Sequence, residues 1–160
     1  MSITWQDLAF RIESDLAHEV AKAWSWLLPE PWEPIICSTV AGIFLTIPTG
    51  EVIWLDTATA LLEQVAESRE QFEGLVKSSP AHVDEWFLPP LVDRLHAAGK
   101  RPKDGECYGF IILPVFAEGK YDTDNMVVVP VREQLIGIAN IHRQLSELPN
   151  GATVQVKVTD

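Results

Sequence analysis

The sequence predicts an α+β fold in which a mostly antiparallel sheet packs against helices. Apolar residues recur at three- and four-residue spacing near the N-terminus and again after Pro130, which is typical of amphipathic helices. Runs rich in β-branched residues, separated by turns that contain Pro or Gly, lie between these segments and predict strands. Residues 153–158 alternate between polar and apolar types, so an edge strand is predicted after the C-terminal helix.

The first element is predicted to be one amphipathic helix. Thr4 and Asp7 resemble a capping box, with Asp where Glu or Gln is usual. Prolines between positions 29 and 34 should end the helix, because proline has no amide donor. The apolar positions in between form one stripe: Trp5, Leu8, Ile12, Leu16, Val20, Ala23 and Leu27.

A hairpin is predicted next. Residues 35–47 are interpreted as one strand, bent at Gly42, and residues 51–56 as the returning strand. Residues 60–66 fit either a helix by propensity or a short strand. Because Ser68 and the residues after it form a second capping box, a helix should begin there, which favours a strand for the segment before it.

The second half is predicted to contain a broken helix, a strand pair and a terminal helix. Two adjacent prolines interrupt the helical segment 82–98. Residues 107–113 and 125–129 are apolar and predict strands, and a helix should run from Pro130 to about Leu148.

Length and composition predict one domain over residues 1–160, made of an N-terminal helical segment, 1–34, and an α+β core, 35–160. The chain is 47% hydrophobic and 22% charged, and no apolar run approaches the ~20 residues of a membrane helix. The N-terminus has neither the basic region nor the apolar core of a signal peptide, so a cytoplasmic location is predicted.

The formal net charge is −11, which opposes nonspecific nucleic-acid binding, so no nucleic acid is predicted as a partner. No membrane is predicted as a partner either, since no apolar run has membrane-spanning length. Acidic residues are concentrated in residues 1–33 and 51–79, each with six acids against two bases. This excess fits either a solvated surface or a docking face for a basic protein. The sequence leaves the oligomeric state open.

No arrangement of residues predicts a catalytic, metal or cofactor site. The four histidines lack zinc-ligand spacing, and His142 is expected to be solvated or to cap a helix. Cys37 and Cys107 lie in strand-like apolar segments and are expected to be buried reduced thiols, with a disulfide as the less favoured alternative. A pairing of Cys107 with a histidine that is distant in sequence stays open.

A set of motifs in a fixed order extends over roughly residues 40–158. Its residues are Trp54, Leu55, Asp56, Thr57, Val65, Ala66, Ser68, Phe72, 105–110, Pro114, Gly119, Tyr121, Asn125, Gly137, Leu148, Pro149 and Gly151. In these residues the chain resembles the family of type VI secretion immunity protein C-terminal domains, formerly a domain of unknown function. One piece, Val-Ala-x-Ser-x-x-x-Phe, is also similar to the broader SUKH immunity superfamily. The chain has one glycine before Tyr121 where the family commonly has two.

The resemblance implies a noncatalytic binding protein, an immunity protein that neutralises a cognate bacterial toxin. Because nucleases need a basic substrate channel, an acidic blocker suits a basic toxin such as a nuclease. The alternative is a small-molecule-binding or enzymatic domain with a site near Cys107 and Tyr121.

The loop between the last two predicted strands is the candidate secondary contact, behind the acidic segments 1–33 and 51–79. Glu118, Tyr121, Asp122 and Asp124 are predicted to be exposed on it and to be possible partner-binding residues. The alternative is a structural loop in which Gly119 and Tyr121 shape the turn and pack locally.

Overall fold

The computed structural model describes residues 3–149 and contains a five-stranded antiparallel sheet. Each strand pairs with its neighbour in the chain, in the order β1-β2-β3-β4-β5, and a separate pair, β6-β7, is also antiparallel. The predicted α+β class and antiparallel pairing are confirmed. The predicted edge strand 153–158 lies outside the described residues. The strands are β1 (Ala9–Phe10), β2 (Glu33–Ser38), β3 (Gly42–Thr46), β4 (Val52–Asp56), β5 (Leu61–Ala66), β6 (Glu106–Phe110) and β7 (Met126–Pro130).

Helices cover both faces of the larger sheet. Successive side chains of a strand point to opposite faces, and the centre of β3 is buried on both. Phe44 packs in one cluster with Phe72, Trp86 and Phe87, whereas Ile43 belongs to a second cluster that includes α2 and the segment after β7. The helices are α1 (Trp5–Leu8), α2 (Ser14–Ala23), α3 (Arg69–Ser78), α4 (Pro80–Phe87), α5 (Pro89–Ala97), a π-helical turn (Glu133–Gly137) and α6 (Ala139–Ser146).

The prediction of one continuous N-terminal helix is wrong. The capping interaction is present, since Asp7 accepts a hydrogen bond from the Thr4 amide at 2.9 Å, but α1 ends at Leu8. β1 follows and pairs with the end of β2, and the Thr39 amide donates to the Leu8 carbonyl at 2.9 Å. Pairing with a distant strand therefore outweighs the local helical periodicity at Ala9 and Phe10.

The prediction of one strand over residues 35–47 is also wrong. The chain turns between β2 and β3, and Ala41 has a left-handed φ of 77°. Gly42 begins β3 beneath the Trp54 indole, and a Cβ there would stand 2.7 Å from Trp54 Nε1. The glycine thus marks a close approach by a side chain and not a bend within a strand.

Two other local predictions are confirmed. Residues 61–66 form a strand, and the Ser68 hydroxyl accepts a hydrogen bond from the Gln71 amide at 3.0 Å, which caps α3. The helical segment after α3 breaks at Leu88, which has a left-handed φ of 49°, immediately before the two prolines. In the part of the chain that the structure describes, no helix has the length and apolar character to cross a membrane.

Candidate partner-binding site

The loop of residues 111–125 joins β6 to β7 and is closed at its base by Asn125. The Asn125 side chain accepts a hydrogen bond from the Ile112 amide at 2.9 Å and donates to the Ile112 and Lys120 carbonyls, each at 2.8 Å. The Ile111 amide donates to the Asn125 carbonyl at 2.8 Å. Both isoleucine amides are therefore held by one residue at the other end of the loop.

The interior of the loop is tightly folded. The Phe116 amide donates to the Leu113 carbonyl at 2.9 Å, and the Gly119 amide donates to the Phe116 carbonyl at 3.0 Å. A Cβ on Gly119 would stand 2.0 Å from the Leu113 carbonyl oxygen, so a larger residue cannot occupy this position without backbone movement. Lys100 Nζ adds hydrogen bonds from outside to the carbonyls of residues 123 and 126. These contacts make the loop a packed structure and not a loose connection.

Tyr121 anchors the loop to the larger sheet. Its hydroxyl donates to the Asp56 carboxylate at 3.1 Å, and its ring packs edge-on against Phe110 with a centroid separation of 5.2 Å. Burial raises the pKa of Asp56 above its ordinary value, and hydrogen bonds from Ala58, Thr59 and Tyr121 oppose that rise. Burial also raises the pKa of Tyr121. These contacts support the alternative in which Tyr121 packs locally and shapes the loop, although its side chain is still 38% exposed.

The other predicted contact residues, Glu118, Asp122 and Asp124, are exposed, and they do not lie at one common site. Asp122 Oδ1 lies 3.4 Å from the amide of Asp124 and shapes a local turn. Glu118 borders an apolar groove, whereas Tyr121 lines a separate pocket of about 380 Å³ that also contains Asp56. The structure therefore places Glu118 and Tyr121 at two separate features and Asp122 and Asp124 at neither, and the role of all four in partner binding stays a prediction.

The apolar groove, called here the isoleucine groove, lies between the loop and the C-terminal helical segment. Its volume is about 460 Å³. Ile111 is 67% exposed and Ile112 41% exposed, and Val115 nearby is also 41% exposed. The residues used to define the groove are Ile111, Ile112, Ile138, Ile141, Glu118 and Glu133.

Sequence reasoning missed this groove because it assigned residues 107–113 to one strand. β6 ends at Phe110, so Ile111 and Ile112 lie in the loop and not in the sheet. The run from Phe110 to Leu113 is uniformly apolar and lacks the alternation that would have identified outward-facing positions. Pro114 gave no signal of the earlier end, because it lies four residues beyond Phe110 and favours extended geometry in the residue before it.

A buried polar network supports one wall of the groove and includes His142. His142 Nε2 donates to the Thr57 carbonyl at 2.8 Å, and Gln134 Nε2 donates to the Thr57 hydroxyl at 3.2 Å. The expectation that His142 is solvated or caps a helix is wrong, because its side chain is buried. Burial lowers the pKa of His142, so the side chain is neutral at pH 7.

The two cysteines are buried free thiols, as expected. Burial raises the pKa of Cys107 to about 12, and it raises the pKa of Cys37 as well, with Cys107 as a second cause. Protonated buried thiols are poor nucleophiles. Cys107 and Phe110 are three residues apart on β6 and so face opposite sides, and Phe110 is the residue that contacts Tyr121. Cys107 and Tyr121 therefore do not form a common site.

A second cleft of about 590 Å³ lies between the N-terminal segment and residues 102–106. Its acidic side chains come from both sides of the cleft. Arg132, at the border of the cleft, donates from Nη2 to Glu19 Oε1 at 2.7 Å. The cleft thus collects several acids of the segment 1–33 at one place. These acids and their partners across the cleft are Asp7, Glu13, Asp15, Glu19, Asp104 and Glu106, against the bases Arg11, Lys103 and Arg132. Because acids outnumber bases, it is called here the acidic cleft beside α2. Over residues 3–149, no group of three His, Cys, Asp or Glu side chains is arranged to hold a metal ion.

Residues 66–142 match the family model for T6SS immunity protein Tdi1, C-terminal. The match begins at the last residue of β5 and includes the whole 111–125 loop and every residue that defines the isoleucine groove. It is narrower than the 40–158 span of the sequence resemblance. No curated protein matches the chain. The family prediction is supported over residues 66–142, just under half of the chain, whose sequence matches the model of the T6SS immunity protein Tdi1 C-terminal family.

Proposed function

We propose that the chain is a noncatalytic immunity protein that binds and neutralises a cognate bacterial toxin in the cytoplasm. The observation that carries this proposal is the family match over residues 66–142. A noncatalytic inhibitor acts by occupying a surface of its target, so the proposed function requires a rigid binding face and no reacting groups. The closed, packed loop and the protonated thiols fit that requirement.

We further propose that the toxin is basic, with a nuclease as the leading candidate. A nuclease holds phosphates in a positively charged channel, and an acidic protein can both cover that channel and be steered towards it. The net charge of −11 and the acidic cleft beside α2 support this choice. Glu118, Asp122 and Asp124 add negative charge at the 111–125 loop, as a secondary contact.

The test begins with the gene adjacent to the one that encodes this chain. Its product, or the C-terminal toxin domain of that product, should arrest growth when expressed alone and should become harmless when this chain is co-expressed. The purified proteins should form a complex whose association slows as salt is raised from low to physiological concentration. If a toxic product kills equally well with and without the chain, and no complex forms at low salt, the immunity function is refuted. A toxin that is neutralised but leaves DNA and RNA intact would refute only the nuclease assignment.

A further inference from the structure

We infer that the isoleucine groove is the docking site for an apolar side chain of the toxin that is flanked by Lys or Arg. This inference rests on the proposed immunity function. It adds which surface of the chain binds the toxin and which kind of toxin side chain that surface binds. The acidic cleft beside α2 would then steer and orient the toxin, while the groove would hold it.

Large aliphatic side chains are exposed on an otherwise acidic protein. Ile111 is 67% exposed, and Ile112 and Val115 are each 41% exposed, all within one short stretch. Single exposed apolar residues are ordinary, but a contiguous group beside a concave apolar surface is typical of an interaction site. The groove has about 460 Å³, within the ~300–1,000 Å³ of pockets that enclose a ligand, so it can enclose a side chain.

The backbone of these exposed residues is already held in place. The amides of Ile111 and Ile112 are both bonded to Asn125, and the Ile112 carbonyl accepts from the Asn125 side chain. Gly119 permits the loop to pack against Leu113 behind them. Binding therefore has little backbone entropy to remove, and preorganised apolar anchors of this kind are where interfaces concentrate their binding energy.

The charge around the groove selects the occupant. Glu118 and Glu133 border the groove, and the described residues that line it include neither Lys nor Arg. An apolar side chain with a neighbouring Lys or Arg would fill the groove and pair with these carboxylates. A second copy of this chain is a poorer match, because two proteins of net charge −11 repel each other.

The experiment compares two serine substitutions at exposed aliphatic positions. Ile111→Ser removes an anchor of the groove, and Leu61→Ser changes a residue on β5 that is 55% exposed and does not line the groove. The binding probe is the catalytically inactivated toxin domain encoded by the adjacent gene, measured by calorimetry at physiological salt. Both variants should keep the thermal midpoint of the wild type, because neither side chain is buried.

The expected result is that Ile111→Ser raises Kd by about 30-fold or more, as truncation of an interface anchor does, and that Leu61→Ser changes Kd by less than about threefold. Glu118→Gln should lower the association rate and weaken its salt dependence. Wild-type affinity in Ile111→Ser, or an equal loss in Leu61→Ser, would overturn the docking site while leaving the immunity function in place. Dissociation of a homodimer by Ile111→Ser with unchanged toxin affinity would also overturn it, since a second copy would be the occupant. If the wild type binds no toxin and protects no cells, both the function and the docking site fail.

Discussion

Gly119→Ala is the substitution that most directly tests whether the 111–125 loop is a packed structure. An alanine Cβ at this position would stand 2.0 Å from the Leu113 oxygen, 2.4 Å from the Leu113 carbonyl carbon and 2.7 Å from the Pro114 Cα. All three are backbone atoms, so no side-chain rotation can relieve the contact. The two sides of the loop must separate by about 1 Å, which is the scale of overpacking in a protein interior.

Overpacking of this kind costs about 1–3 kcal/mol of unfolding free energy. For a chain of this size each kcal/mol corresponds to roughly 2–4 °C, so the melting temperature should fall by about 2–12 °C. Gly74→Ala is the matched control, because Gly74 lies within α3 and a Cβ there meets nothing within 4 Å. Replacing a helical glycine with alanine should raise stability by about 0.5–1 kcal/mol.

The assay is urea unfolding of the wild type and the two variants, followed by near-ultraviolet circular dichroism, with thermal midpoints measured in parallel. The same chemical substitution should lower the unfolding free energy at Gly119 and raise it at Gly74. If Gly119→Ala is as stable as the wild type, or if it gains stability as Gly74→Ala does, the loop is free to open and its rigidity is refuted. Preorganisation of Ile111 and Ile112 would then be refuted as well.

Two further predictions concern pH. Tyr121→Phe removes a hydrogen bond to Asp56 and should cost about 2 kcal/mol while that carboxyl is ionised. The cost should decrease to about 1 kcal/mol, that of a neutral hydrogen bond, as the pH falls through the raised pKa of Asp56. Tyr108→Phe is the control, because the Tyr108 hydroxyl donates to a neutral carbonyl. This substitution should cost about 1 kcal/mol at every pH in the same range. Parallel pH profiles for the two variants would contradict the assignment to Asp56. His142 is held neutral in the folded state, so the unfolded state binds one more proton. The unfolding free energy should therefore decrease as the pH falls below 6.5, the ordinary pKa of histidine. His142→Gln, which keeps a donor for Thr57, should remove this component between pH 7.5 and 5 in urea titrations, and an unchanged slope would show that another group is responsible.

The amino-acid sequence was sufficient wherever a structure depends on neighbouring residues. The cap at Ser68 and the break at Leu88 follow from local hydrogen bonding and from proline geometry, so both were predictable. The α+β class followed from periodicity, and the family from the order of motifs that include Tyr108 and Gly119. The exposed position of Glu118 on a loop was predictable for the same reason, because it stands in a polar segment between apolar runs.

Only the tertiary structure decided the features that depend on distant partners. Ala9 and Phe10 leave the helix because they pair with β2. His142 can be buried because its ring donates to the Thr57 carbonyl. Periodicity records which residues are apolar but not what lies across from them, so it could not show that Ile111 and Ile112 stay exposed. Their position is set by Asn125 at the far end of the loop, and a contact between residues so far apart in the chain exists only once the chain has folded.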